Sequence, residues 1–168
     1  MSDVNVLVVF YSRYGAAEKL ALAAGVGAIQ ARGNIRLRRV ADLADAATIA
    51  RDVAWTEHRE RMAMDYVAPR PADPLWADVI VLATPAGSTA ELEGFLRTLP
   101  SLGPMAGKIA APLCPGDAAV ALRAVYAAAA EAGLTVAPAG APADDPVARA
   151  RLFGQRVTQM ARALKAPR

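Results

Sequence analysis

Residues Val4 to Ala17 read V-N-V-L-V-V-F-Y-S-R-Y-G-A-A, and this stretch decides the fold. Val6 to Tyr11 is a continuous apolar run, rich in β-branched residues and far too short to cross a membrane. Such a run is a strand buried on both faces, at the centre of a parallel sheet. It breaks at Ser12-Arg13-Tyr14-Gly15, and a helical pattern starts at once. A strand that passes through a short loop into a helix leaves backbone N–H groups pointing outward. The helix dipole there favours an anion, and the Ser12 hydroxyl adds a hydrogen bond. A tight β–α turn that binds nothing has the same local sequence, so the loop alone does not separate the two. Ligands of open α/β sheets sit at strand carboxyl ends, which makes this loop the first candidate site.

Outward from it, Ala16 to Arg32 reads as a helix with Leu20, Ala24, Gly27 and Ala31 on one stripe. Gly25 and Gly27 cost about 1 kcal/mol each in helix propensity, and close packing against the sheet is the expected reason. Ile35 to Val40 alternates apolar and basic residues as an edge strand does, with Ile35, Leu37 and Val40 inward and Arg36 and Arg38 outward. Asp42 to Asp73 is irregular. Ala44–Ala54 and Glu57–Met64 are candidate helices, and Asp65 to Pro74 is expected to be extended loop. This stretch holds Trp55, His58 and Tyr66, and reads equally as a functional cover or as an outer insertion. Trp55 and Tyr66 are expected to pack on their own sheet.

Val79 to Ala83 is the second fully buried strand and ends in Thr84-Pro85-Ala86-Gly87-Ser88-Thr89. Ser88 or Thr89 is placed to cap a helix over Ala90–Leu99, with Glu91 and Glu93 suiting its dipole and Pro100 ending it. Lys108–Leu113 is a strand that runs into Cys114-Pro115-Gly116-Asp117, and Ala118–Ala132 is a helix. Leu134–Ala137 is the last strand, and Pro138–Pro142 is loop. Asp145-Pro146 opens a helix with Phe153, Val157, Met160 and Leu164 as its core stripe. No repeat or linker interrupts residues 1–168, so one domain is expected.

Five strands in strict β–α alternation predict an α/β fold, a doubly wound five-stranded parallel sheet. The order 2-1-3-4-5 is favoured, with its crevice at the ends of strands 1 and 3. Three loops then converge on one sheet edge: Ser12–Ala17, Thr84–Thr89 and Cys114–Asp117. The single cysteine excludes an internal disulfide, and one cysteine with one histidine argues against zinc. No apolar stretch suits a membrane span and no basic leader precedes the first strand, so a cytoplasmic location is expected. Arg36, Arg38 and Arg39 are the one tight basic group, read as a solvated strand face rather than a nucleic-acid contact.

A Walker loop, a dinucleotide fingerprint and a phospho-receiver carboxylate set are all missing. A flavin mononucleotide (FMN) suits the three loops better, with its phosphate in the first and its ring between the second and third. V-L-V-V-F-Y-S-R-Y-G-A-A-E, D-V-I-V-L-A-T-P-A-G, G-K-I-A-A-P-L and P-V-A-R-A-R-L-F-G-Q-R-V-T-Q-M-A-R-A-L resemble the flavodoxin-like NAD(P)H:quinone oxidoreductases of the WrbA type. The resemblance implies a flavodoxin-like fold, FMN, NAD(P)H as co-substrate, a quinone-like acceptor and a homodimer or homotetramer. It assigns the phosphate to Ser12, Arg13, Tyr14, Gly15, Ala16 and Ala17, and the ring to Thr84, Pro85, Ala86 and Gly87. Cys114, Pro115, Gly116 and Asp117 take the place of the third loop. The second loop is shorter than the family's, the third lacks its serine-threonine-glycine run, and the loop after the fifth strand is reduced to Ala139–Asp144. Two readings follow: an FMN-dependent oxidoreductase, and a module of the same fold that has lost flavin and serves oligomeric binding or interaction.

Overall fold

The computed structural model describes residues 3–116, 119–138 and 144–165. Its five strands are β1 (Val4–Phe10), β2 (Gly33–Arg39), β3 (Val79–Ala83), β4 (Ile109–Leu113) and β5 (Thr135–Val136). All pair in parallel, in the order β2-β1-β3-β4-β5. This is the doubly wound sheet expected from the alternation of buried runs and helices. β1 lies inside the sheet because every residue from Val6 to Tyr11 is fully buried. Side chains alternate across it: Val6, Val8 and Phe10 enter one core layer, and Leu7, Val9 and Tyr11 the other.

Helices α1 (Ala16–Gln30) and α7 (Pro146–Lys165) cover the first layer. Helices α5 (Ala90–Leu102) and α6 (Ala119–Glu131) cover the second. The close packing expected of the α1 glycines is found at Gly27, and the partner is a helix rather than the sheet. A Cβ on Gly27 would lie 1.9 Å from the carbonyl oxygen of Arg151 in α7. A Cβ on Gly154 of α7 would lie 2.0 Å from the carbonyl oxygen of Ala24. The two glycines are reciprocal, and they let the helices touch backbone to backbone. This tilts α7 relative to the expected stripe: Ala150, Phe153, Gly154, Val157 and Ala161 face inward, while Met160 and Leu164 are exposed.

Between β2 and β3 the chain forms α2 (Ala46–Ala50), α3 (Val53–Asp65) and α4 (Ala72–Trp76). The last of these replaces part of the expected extended loop. Asp73 of α4 is buried and takes ion pairs from Arg36 and Arg38 at 3.0 and 2.7 Å, and Arg36 also lies 4.1 Å above the Trp76 ring. The two arginines therefore face a helix and not open solvent, because α4 brings the carboxylate and ring that sequence spacing does not show. Helix α5 continues to Leu102 with Pro100 inside its last turn, where the missing N–H costs one hydrogen bond without ending the helix. Among the described residues no helix is long and apolar enough to cross a membrane.

Candidate functional site

The first loop leaves β1 at Tyr11 and turns into α1 at Gly15. Gly15 has φ 97°, a left-handed conformation that a side chain would strain. Its N–H donates to Ser12 Oγ at 3.0 Å, so the buried Ser12 hydroxyl closes the loop upon itself. The next N–H groups, at the start of α1, have no acceptor within the helix. Arg13 donates from Nε to the Tyr11 hydroxyl at 3.2 Å and lies 4.2 Å over the Trp55 ring. Burial pushes the Tyr11 phenol well above its ordinary range, so it stays protonated and donates to Asp42 at 3.1 Å.

Helix α3 fastens this loop from outside. Its N-cap residue Asp52 accepts from the Tyr14 hydroxyl at 2.5 Å and from the Trp55 N–H. Trp55 Nε1 donates to Asp42 at 2.9 Å, and Arg39 donates to the other oxygen of Asp42 at 2.8 Å. Burial pushes the Asp42 carboxyl up, but the hydrogen bonds from Arg39, Trp55 and Tyr11 outweigh it and hold the group below its usual range. Glu18, in the first turn of α1, receives Arg61 at 2.9 and 2.6 Å and the Tyr66 hydroxyl at 2.6 Å. The Arg61 hydrogen bonds lower the Glu18 carboxyl, and burial with the Glu18 contact raises Tyr66 to about 12. His58 lies beside the loop, its Cε1 3.7 Å from where a Gly15 Cβ would be. Tyr66 meets Phe10 edge-on at 4.9 Å and so packs on its own sheet as expected, whereas Trp55 is buried against the first loop, between Arg13 and Asp42.

The second loop starts at Thr84, which is fully buried. Its hydroxyl donates to the Ser88 carbonyl at 2.9 Å and thus braces the loop from within. Neither candidate cap of α5 bonds the helix backbone. Ser88 instead donates to Glu91 at 2.6 Å and Thr89 to Glu93 at 2.5 Å. The third loop follows one strand along, tied to the second by the Thr84 N–H on the Leu113 carbonyl at 3.0 Å. Its Cys114 is fully buried, and burial pushes the thiol up to about 11. Iodoacetamide at pH 8 is expected to label Cys114 at least about a hundredfold more slowly in the folded protein than in urea, because the thiolate is the reactive form. Intact-mass analysis over time checks this, and equal rates would show an accessible thiol. Asp117 and most of Ala139–Asp144 lie outside the described residues.

A cavity of about 220 Å³ opens between the first and second loops, walled by Ser12, Arg13, Tyr14, Ala16, Ala17, Pro85, Gly87 and Ser88. Its position at the ends of β1 and β3 is the switch point of the sheet, where doubly wound domains take their ligands. The chain matches no family model and no curated protein. It is similar in structure to a flavodoxin from the domain Archaea, with TM-score 0.62, 17% identity and coverage of 95% of this chain and 99% of that one. It is similar to a diflavin flavoprotein A3 from Nostoc sp., with TM-score 0.62, 14% identity and coverage of 98% and 97%. It is also similar to an NAD(P)H:quinone oxidoreductase from Methanothermobacter marburgensis, with TM-score 0.54, 17% identity and coverage of 93% and 100%. The fold is flavodoxin-like.

Within this flavodoxin-like frame, five of the six first-loop candidates and two of the four second-loop candidates share one cavity wall; Gly15 is the loop's hinge. Thr84 is turned away from it, and Cys114, Pro115 and Gly116 form the neighbouring loop. The sequence reading missed Ser88 as a wall residue and Asp42, Asp52 and Arg61 as the fasteners of α3. Their signal is weak, because Asp42, Asp52 and Arg61 lie 31, 38 and 43 positions from their partners Tyr11, Tyr14 and Glu18 and are joined to them only by tertiary packing.

Proposed function

We propose that the chain is an FMN-dependent oxidoreductase of the NAD(P)H:quinone reductase type, passing hydride from NAD(P)H to a quinone-like acceptor. The observation that carries this reading is the cavity at the switch point. It joins the N-terminus of α1 to the Arg13 guanidinium, whose terminal nitrogens make no hydrogen bond to a described residue. A dianionic phosphate suits both donors. The fit of FMN is good at that end. Ser12 shapes the loop, Ala16 and Ala17 offer their amides, and Arg13 supplies charge. At the other end the cavity is smaller than the roughly 300 Å³ at which pockets begin to enclose a drug-sized ligand. Pro85 and Gly87 would hold a ring there, and a Cβ at Gly87 would meet nothing within 4 Å, so the loop leaves room. When bound, the flavin supplies the hydride chemistry, and the protein positions it and sets its electrostatics. Asp42 and Tyr11 hold Arg13 and Trp55 in place behind the phosphate site.

FMN titration followed by flavin fluorescence tests the reading. Saturable quenching is expected, with affinity reduced about a hundredfold or more in the double variant Ser12→Ala, Gly15→Asp, whose new carboxylate repels the phosphate. Unchanged affinity in that variant, or no quenching in the wild type, would sink the proposal. One observation favours the second reading, a flavin-free binding module: Thr84 spends its hydroxyl on Ser88 rather than on the cavity. That reading expects a colourless protein and no quenching. The homodimer or homotetramer is part of the same proposal, and the mass in solution by light scattering checks it.

A further inference from the structure

A second cavity, of about 480 Å³, lies on the α5 side of the sheet, walled by Val40, Leu43, Pro69, Glu91, Gly94 and Phe95 together with Asp42. It exists because α3 sends Met62 and Tyr66 into the α1 layer. The ground beside α5 that a helix after β2 would otherwise cover is left to the short α4 and the strap before it. It is a shallow, open groove rather than an enclosed pocket. Its wall is apolar and aromatic except for two carboxylates and Thr98, whose hydroxyl donates to the Phe95 carbonyl at 2.7 Å. Asp42 is committed to Tyr11, Trp55 and Arg39. Glu91 is not so committed. It is 4% exposed, Oε2 accepts only from Ser88, and it has no ion pair among the described residues. Of the basic groups of this edge, Arg13 and Arg39 are hydrogen-bonded to Tyr11 and Asp42, and Arg59 stands 3.9 Å from Asp42; Arg13 is near enough to Glu91 for the two charges to attract, but none of the three makes a hydrogen bond to Glu91. The N-terminus of α5 eases the charge of Glu91, but a buried carboxylate with one hydrogen bond still favours a cation beside it. Gly94 adds an independent sign. Glycine inside a helix weakens it, and a Cβ there would meet nothing within 4 Å, so no packing in this chain requires the gap.

We propose that this groove binds a small organic monocation with a flat apolar body, its amidinium or ammonium group on Glu91 and its ring along Gly94 and Phe95. The Ser88–Glu91 hydrogen bond separates this groove from the first cavity, so the proposal stands whether or not FMN occupies the latter. The test uses benzamidine and its neutral analogue benzamide as probes, followed by amide shifts of the ¹⁵N-labelled full chain. Benzamidine is expected to give saturable shifts centred on residues 40–43 and 91–98, with benzamide at least about tenfold weaker, as the loss of one charge-assisted hydrogen bond implies. Glu91→Gln is expected to erase the difference between the probes while leaving the spectrum folded. Gly94→Leu is expected to block both. Equal binding of the two probes to the wild type overturns the proposal, as do shifts centred on residues 12–17 or selectivity that survives Glu91→Gln.

Discussion

Replacing Gly27 by alanine is expected to lower stability by about 3 kcal/mol, the upper part of the range for overpacking. For a chain of this size that is roughly 6–12 °C in Tm. In an open helix the same change would raise stability by about 1 kcal/mol, so the sign separates the two situations. The new methyl would stand 1.9 Å from the Arg151 carbonyl oxygen and 3.0 Å from the Gln155 nitrogen, both backbone atoms that no rotamer change can move. α1 and α7 must part, and the contacts of Ala24, Ala28 and Val157 loosen with them. Gly154→Ala meets the backbone of Ala24 in the same way and is expected to cost a similar amount. Since both substitutions strain one interface, the double variant should cost less than the sum. Gly94→Ala is the control: a Cβ there meets nothing, and a modest gain is expected. Urea titrations of the wild type and the four variants check the set, and a stabilised Gly27→Ala would show that the helices do not touch.

The second large effect is expected at Asp42. Asp42→Ala removes the acceptor of Tyr11, Trp55 and Arg39 at once, and leaves a guanidinium that is only 9% exposed without its partner. Breaking a buried pair in this way costs about 3 kcal/mol or more. Asp42→Asn keeps an acceptor for Tyr11 and Trp55 and is expected to cost less. The same groups give a pH dependence. Asp42 and Glu18 are both held below the ordinary carboxylate range. A carboxyl lowered in the folded state contributes stability that is present above its unfolded value, near pH 4, and is lost as the pH falls through the lowered value. The attachment of α3 is therefore expected to be intact from neutral pH to about pH 5 and to weaken below pH 4. Tryptophan fluorescence with urea midpoints at pH 7, 5 and 3 checks this. In Asp42→Ala the acid loss should shrink, and a midpoint that falls between pH 7 and pH 5 would assign the attachment to other groups.

The sheet was legible because burial on both faces leaves an unambiguous mark: Val6–Tyr11 and Val79–Ala83 carry no polar residue, and each runs straight into a loop and helix. The candidate cavity was legible only in part, since Thr84 turns away from it and Cys114, Pro115 and Gly116 form the neighbouring loop. Ser12 to Ala17 and Pro85 to Gly87 are local segments whose position at strand ends follows from topology alone. Arg36 and Arg38 were misread as solvated, since alternation gives their face but not what covers it. Met160 and Leu164 were placed inward because the period was right and the phase was not. A helix that meets another through glycine turns its small residues inward.

The sequence by itself determined the order of the strands, the identity of the turning points and the one edge on which three loops meet. Those features depend on periodicity, on glycine and proline, and on the handedness of β–α–β crossovers, all of which act within tens of residues. Only the tertiary structure decided that α3 fastens the first loop through Asp42, Asp52 and Glu18, that Thr84 turns inward, and that Glu91 lines a second cavity. These depend on pairs of polar groups far apart in the chain, and which partner a buried carboxylate finds is fixed by how the layers close and not by its neighbours in sequence.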